Sequence, residues 1–432
     1  MSSYTHDIEY TKLSPSTGAS IASSSFNLIN TILGAGILTV PYQLSKTGWV
    51  LGLFLHIATA LVSKYSFVGL CTGQELAFSF DFQVVIQKVL GRVAGAYSSF
   101  SLLVFTSFVM ISFCVILKDN LFFVEGWFKV GVMWAVLLFT MFPLSLVKDI
   151  NGLWITSFLA IICVTYIFLF LVITAILSSA HVIDLGIERP DPIMFPTSII
   201  KFIQALAGFS LCYAGHFNTL NIYSELRDKS LKKMQTISGI TSYSVLILNL
   251  GIGLGGYFIF TQNVSSDILK NIELISNSTI KYCGNVANIS IMIVMVCSFP
   301  LLCFCFRTTV NGLVLKNTEL KYKHQILVVV PTVLTCGIIA TFVSDIGIVL
   351  DIASAIAGIP LVLVFPCFLK RKYLQMLIKI DPEEVGAEYR KNARKQLMRM
   401  KIDQMFSCAV GIAGVLIIFV GIAGSVLQIV GY

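Results

Sequence analysis

Apolar runs of about 17 to 25 residues, each long enough to cross the hydrocarbon core of a bilayer as a helix, recur eleven times along this chain. They lie near 23–44, 48–71, 95–117, 127–146, 153–178, 197–216, 237–260, 287–306, 325–343, 346–369 and 405–429. Backbone in lipid must satisfy its own hydrogen bonds, so repeated runs of this length permit only a bundle of membrane helices. Residue usage agrees. Of 432 residues, 56% are hydrophobic and 12% charged, where soluble chains carry about 25% charged residues. The expected fold class is an all-α polytopic membrane protein with eleven transmembrane helices.

Orientation follows from the basic residues. Of the 30 Lys and Arg, about 22 fall on one set of alternate loops and about 7 on the other, the asymmetry that marks cytoplasmic loops. The richer set holds Lys88, Arg92, Lys148, the cluster Arg227/Lys229/Lys232/Lys233, Arg307 and the run from Lys370 to Lys401. The N-terminus is expected inside, and the net charge of +8 reflects topology, with the lipid bilayer and no nucleic acid as partner. Residues 1–20 read as a cytoplasmic tail without the apolar core of a leader. Residues 21–432 read as one membrane domain. Its longest inner segment, 370–404, is either an amphipathic surface helix or a charged linker. The sequons at Asn263 and Asn277 fall in a loop placed outside and are candidate glycosylation sites. Lys64 is expected to snorkel towards the inner interface, and Trp49, Trp127 and Trp154 to anchor the interfaces.

The first run is interrupted where a membrane helix most needs continuity. Gly34-Ala35-Gly36 weakens the helix at mid-depth, and irregular backbone is tolerated there where it lines a cavity. The sixth run is interrupted too. Leu211-Cys212-Tyr213-Ala214-Gly215-His216-Phe217-Asn218 mixes glycine and polar groups after a helical stretch. Broken segments at corresponding positions of two halves point to a binding site at mid-membrane. By contrast, Gly251, Gly253, Gly255 and Gly256 follow no strand and read as close helix packing.

Ser25-Phe26-Asn27-Leu28-Ile29-Asn30 leading to Gly34-Ala35-Gly36-Ile37-Leu38 and Pro41-Tyr42 resembles the first-span signature of the amino acid/auxin permease family, which includes sodium-coupled neutral amino acid transporters and fungal vacuolar amino acid transporters. Gly215-His216 with Ile222-Tyr223-Ser224-Glu225-Leu226, Phe299-Pro300 to Arg307-Thr308-Thr309-Val310, and Gly347-Ile348-Val349-Leu350 to Phe365-Pro366 are similar to three later motifs, in the right order. The resemblance implies the leucine-transporter-type fold, with spans 1 to 5 and 6 to 10 as inverted repeats and span 11 added. The chain departs from the family at Gly215, where Cys is frequent, and at Cys305, where Pro is frequent.

Candidate site residues follow. Gly34, Ala35 and Gly36 would offer backbone amides to a substrate carboxylate at the positive end of a half-helix, with Phe209 and Tyr213 closing over the side chain. The resemblance carries an ion-site asparagine onto Asn30, and Ser298 in span eight would add a hydroxyl; Asn27 is the weaker alternative. His216 titrates near neutral pH, and Asp351 is a carboxylate within a bilayer segment, so both are candidate proton relays. No metal beyond sodium and no cofactor is expected.

The implied function is a secondary active amino acid transporter, a symporter or antiporter, working by alternating access on a proton or sodium gradient. An amino-acid-sensing receptor without net transport is the alternative. The chain shows no His-Glu-x-x-His motif and no paired intramembrane aspartates, and no enzyme is expected. A monomer is expected. Tyr10-Thr11-Lys12-Leu13 fits a Tyr-x-x-hydrophobic sorting pattern, which favours a vacuolar or lysosomal membrane over the plasma membrane.

Overall fold

Two interrupted helices lie at the centre of the bundle, and longer uninterrupted ones enclose them. The computed structural model describes residues 18–34, 36–315, 322–343, 350, 353–378 and 387–430; Ala35, Asp351 and the sorting pattern at Tyr10 lie outside the described residues. Nine helices among these are long and apolar enough to cross a membrane, ten if the bent pair α1 (Ile21–Ile32) and α2 (Gly36–Thr47) counts as one span. The expected sixth span is divided between α9 (Ile199–Leu211) and α10 (His216–Glu225). Each half is too short to cross alone, so the expected count of eleven is not reached by this criterion.

The remaining spans are α3 (Trp49–Ala77), α5 (Arg92–Asp119), α6 (Trp127–Val136) continued by a π turn into α7 (Phe142–Leu144), α8 (Trp154–Ser179), α11 (Leu231–Phe260), α12 (Ser278–Leu315), α13 (Tyr322–Phe342), a helix ending at Ile378, and a final helix Ala387–Val430. A short helix α4 (Phe82–Leu90) lies between α3 and α5. The segment expected as a surface helix or a linker joins the last span: from Ala387 the chain is one helix of 44 residues.

Packing separates a scaffold from a core. α12 packs on α5 and α8, and α11 on α3 and α8; α1 lies against α8 and α11, α2 against α9 and α11, and α10 against α3 and α1. The broken spans are therefore held by α3, α8, α11 and α12. At the periphery Trp127 and Phe419 are 77% and 69% exposed, as lipid-facing helices require. Membrane depth forces satisfaction of freed backbone groups. Pro360 has no N–H to give to the Ile356 carbonyl one turn earlier, and the Tyr97 hydroxyl donates to that carbonyl at 2.7 Å. Charged residues are paired in the same way. Lys64 donates to the Tyr243 hydroxyl at 3.2 Å instead of running free to the interface. Asp403 on the final helix accepts from the Tyr65 hydroxyl at 2.6 Å and lies 3.4 Å from Lys370, tying that helix to the bundle.

Candidate functional site

The two breaks meet. α1 ends at Leu33, whose amide still reaches Ile29 at 2.9 Å, and the Gly34 amide turns back to the Ile32 carbonyl at 2.8 Å. The chain then bends by 54° into α2. In span six, α9 ends at Leu211 with Cys212 as its cap, and α10 begins at His216. The Cys212 thiol donates to the Gly36 carbonyl at 3.4 Å. A Cβ added at Gly36 would lie 3.3 Å from the Cys212 Cα and 3.4 Å from the Leu211 carbonyl, so the approach of the two breaks leaves little room for a side chain here. Both ends that meet here have backbone groups which a straight helix would satisfy and a broken one leaves to other partners. Asn249 on α11 supplies one such partner, donating to the Cys212 carbonyl at 3.1 Å.

Asn30, one turn before the first break, is fully buried. Its carboxamide oxygen accepts from the Ser298 hydroxyl at 2.7 Å, and its nitrogen donates to the Ser157 hydroxyl at 3.2 Å and the Cys297 carbonyl at 3.5 Å. The structure thus brings Asn30 and Ser298 together, and adds Ser157 of α8, which sequence reasoning missed. The Asn30 oxygen and the Ser298 hydroxyl face each other, while Ser157 and the Cys297 carbonyl are held by the Asn30 nitrogen; a carboxamide oxygen beside a hydroxyl is a hard donor pair of the kind that suits a small cation. Asn27 faces elsewhere, donating to the Ile150 carbonyl at 3.0 Å.

Phe209 and Tyr213 flank the second break and are both buried. Against them lies His56 of α3, a second residue that sequence reasoning missed. Its ring meets Phe209 edge-on at 4.7 Å, and its Nδ1 is 3.3 Å from the Tyr213 hydroxyl. His216 is held apart from this group: Nε2 is 2.6 Å from the Ser66 hydroxyl and the ring stacks on Phe67 at 4.1 Å.

Both ends of the bundle are closed by specific contacts. At one end the Glu225 carboxylate accepts from the amides of Ile150 and Asn151 at 2.9 and 2.6 Å. The Ser23 hydroxyl donates to the Asn151 side chain at 2.5 Å, and Ala19 bridges to Glu225 and Arg227 through its backbone. Arg307, also buried there, donates to the carbonyls of Ser145, Val147 and Lys148. Arg307→Met leaves three carbonyls without that donor. It is expected to cost about 2–4 kcal/mol, read as a lower thermal unfolding midpoint in detergent. At the other end the amides of Trp49 and Val50 bond the carbonyls of Ile193 and Met194 at 3.0 and 3.2 Å. In the adjoining loop, burial holds the Asp267 carboxyl above the ordinary carboxylate range, although Asn120 and the Leu269 amide donate to it. Of the two sequon asparagines, Asn263 is exposed, while Asn277 is half-buried and accepts from the Ile280 amide at 3.2 Å.

An all-helical bundle with two opposed broken spans is the architecture of a membrane transporter of the leucine-transporter type. A variant of the manganese transporter of Eremococcus coleocola shares the fold, with a TM-score of 0.52 at 10% identity over 94% of both chains. The chain belongs to the transmembrane amino acid transporter protein family, whose model matches residues 17–427. Among its relatives, a putative sodium-coupled neutral amino acid transporter 11 of Danio rerio is 28% identical over 373 residues, 82% of this chain and 79% of that one. The amino acid transporter AVT6E of Arabidopsis thaliana is 26% identical over 324 residues, 71% of this chain and 65% of that one. The sodium-coupled neutral amino acid symporter 2 of Danio rerio is 24% identical over 414 residues, 88% and 80% of the two chains. This is a multi-pass integral membrane protein of an amino acid transporter family.

Proposed function

We propose that this protein is a secondary active amino acid transporter that works by alternating access about the paired breaks of spans one and six, driven by a proton or sodium gradient. The observation that carries the reading is the meeting of Gly36 with Cys212 at the centre of the bundle. The α-carboxylate binds at the start of α2, where the Gly36 amide lies at a positive helix end; Gly34, whose own amide is turned to Ile32, supplies the bend. Phe209 and Tyr213 line the space for the side chain. Asn30 and Ser298 hold the coupling cation if it is sodium. Spans 1 to 5 and 6 to 10 form the inverted repeats of a single eleven-span domain, and the sites at Asn263 and Asn277 mark the non-cytoplasmic face. The relatives' names support amino acids as cargo; the favoured location, a vacuolar or lysosomal membrane, rests on the Tyr10-Thr11-Lys12-Leu13 pattern.

The test is uptake of a labelled amino acid mixture into proteoliposomes of the purified protein, with a sodium gradient in one set and a pH gradient in another. Uptake above the equilibrium level under either gradient supports the reading and identifies the ion. Binding of an amino acid without flux under both gradients contradicts it and makes the protein a sensor.

A further inference from the structure

We propose that His56 carries the coupling proton, and that the carboxylate of the bound amino acid is the counter-ion that lets it do so. The inference deepens the transport reading and rests on it. His56 lies two turns into α3, fully buried, with Nδ1 held by Tyr213 and the ring edge on Phe209. Its Nε2 is buried without a hydrogen-bond partner among the described residues. A polar atom left unpartnered at membrane depth is costly, and such sites are retained for function.

The surroundings favour a transient positive charge here over one on His216. Phe209 is in the last turn of α9 and Tyr213 follows its C-terminal cap, so His56 abuts the negative end of a half-helix, where a cation is stabilised. His216 is the first residue of α10, at a positive end that opposes one. No carboxylate among the described residues is recorded against His56. On the elements that pack on α3, each titratable group with a recorded contact is engaged elsewhere. On α2, Lys46 lies over Tyr42. On α11, Tyr243 meets Lys64 and Tyr257 meets Ile193. On α10, His216 meets Ser66 and Glu225 meets Ile150. On α4, Lys88 reaches Ala77, and at the inner end of span ten Lys370 reaches Asp403. On α9, Lys201 is exposed, and at the break the Cys212 thiol meets Gly36.

An imidazolium enclosed at this place has two N–H donors and one protein acceptor, the Tyr213 hydroxyl. The second donor and the net charge are met when an amino acid carboxylate binds at the Gly36 amide, since Gly36 touches Cys212, the neighbour of the Tyr213 that holds His56. Proton and substrate therefore bind together: each lowers the cost of enclosing the other. When the far side opens and the amino acid leaves, the imidazolium loses its counter-ion and releases its proton to solvent, so one proton moves per amino acid. Tyr213 reports the change to span six, because its hydroxyl donates to the neutral ring and accepts from the protonated one.

The experiment uses the full chain in proteoliposomes, with alanine, leucine and glutamine tested separately. The wild type is expected to accumulate an amino acid at least several-fold under an inward proton gradient. His56→Gln is expected to lose that accumulation while still exchanging labelled for unlabelled amino acid at symmetrical pH, with a raised half-saturating concentration because the substrate carboxylate has lost its counter-ion. If His56→Gln loses exchange as well, Tyr213→Phe decides. A shift of the half-maximal pH of uptake to lower pH by about half a unit, from loss of a charge-assisted hydrogen bond, supports the role, and an unshifted midpoint overturns it. Undiminished proton-driven accumulation by His56→Gln overturns it too. Wild-type uptake driven by sodium and indifferent to pH overturns the role of His56 while leaving the transport reading intact; absence of both uptake and exchange in the wild type removes the transport reading itself.

Discussion

Gly36→Val is expected to reduce amino acid uptake to background in protein that still elutes as a single folded species. The Cβ alone would sit 3.3 Å from the Cys212 Cα and 3.4 Å from the Leu211 carbonyl, within reach of small adjustments. The two further methyl groups have no such room. They must part the two breaks or turn α2, and overpacking of this kind costs about 1–3 kcal/mol. A stable bundle tolerates that cost, but a site that depends on the approach of two backbones does not. Gly36→Ala, needing only a few tenths of an ångström, is expected to keep part of the activity. Gly131 on α6, where an added Cβ meets nothing within 4 Å, provides the control: Gly131→Val is expected to transport normally. Equal loss at both positions would remove the argument from close approach.

Asn30→Ala is expected to lower uptake by at least about tenfold, equivalent to 1.4 kcal/mol, and to destabilise the protein as well. The substitution removes the acceptor for Ser298 and the donor to Ser157 and the Cys297 carbonyl, so polar groups of α8 and α12 are left unpartnered at membrane depth. About 2–3 kcal/mol follows from that alone. Ser298→Ala separates the two effects. It spares the bonds to Ser157 and Cys297, so stability changes less; if a cation is held between Asn30 and Ser298, the concentration of that cation needed for half-maximal uptake rises. Initial rates measured against sodium concentration, beside thermal unfolding, distinguish a cation site from a purely structural hydrogen-bond network.

The architecture was legible because membrane depth penalises departures from an apolar helix, so each departure stands out. Gly34-Ala35-Gly36 and the stretch from Cys212 to Asn218 interrupt otherwise apolar runs, and the structure sets Gly36 against Cys212. Asn30 and Ser298 could be paired on a resemblance, and they lie 2.7 Å apart. His56 and Ser157 could not be found in this way. Each is a single small or aromatic polar residue in a long apolar run, with nothing periodic around it, and its meaning arises only when α3 meets the end of α9, or α8 meets α1. The inner closure was hidden for a similar reason. Glu225 bonds Ile150 and Asn151 across 75 and 74 residues of sequence, a pairing that local pattern does not encode. The segment 370–404 read either as a surface helix or as a charged linker because a charged stretch next to an apolar one looks like a boundary; the helix from Ala387 continues through both into the last span.

The measurement that most directly tests the central claim is an experimental structure of the protein with a transported amino acid bound. The account predicts density for the ligand between the breaks of spans one and six. Its carboxylate should lie within hydrogen-bonding distance, about 3 Å, of the backbone amide of Gly36, and its side chain should be directed towards Phe209 and Tyr213. Density for the amino acid elsewhere in the bundle, with Gly36 and Cys212 still in contact, would contradict it.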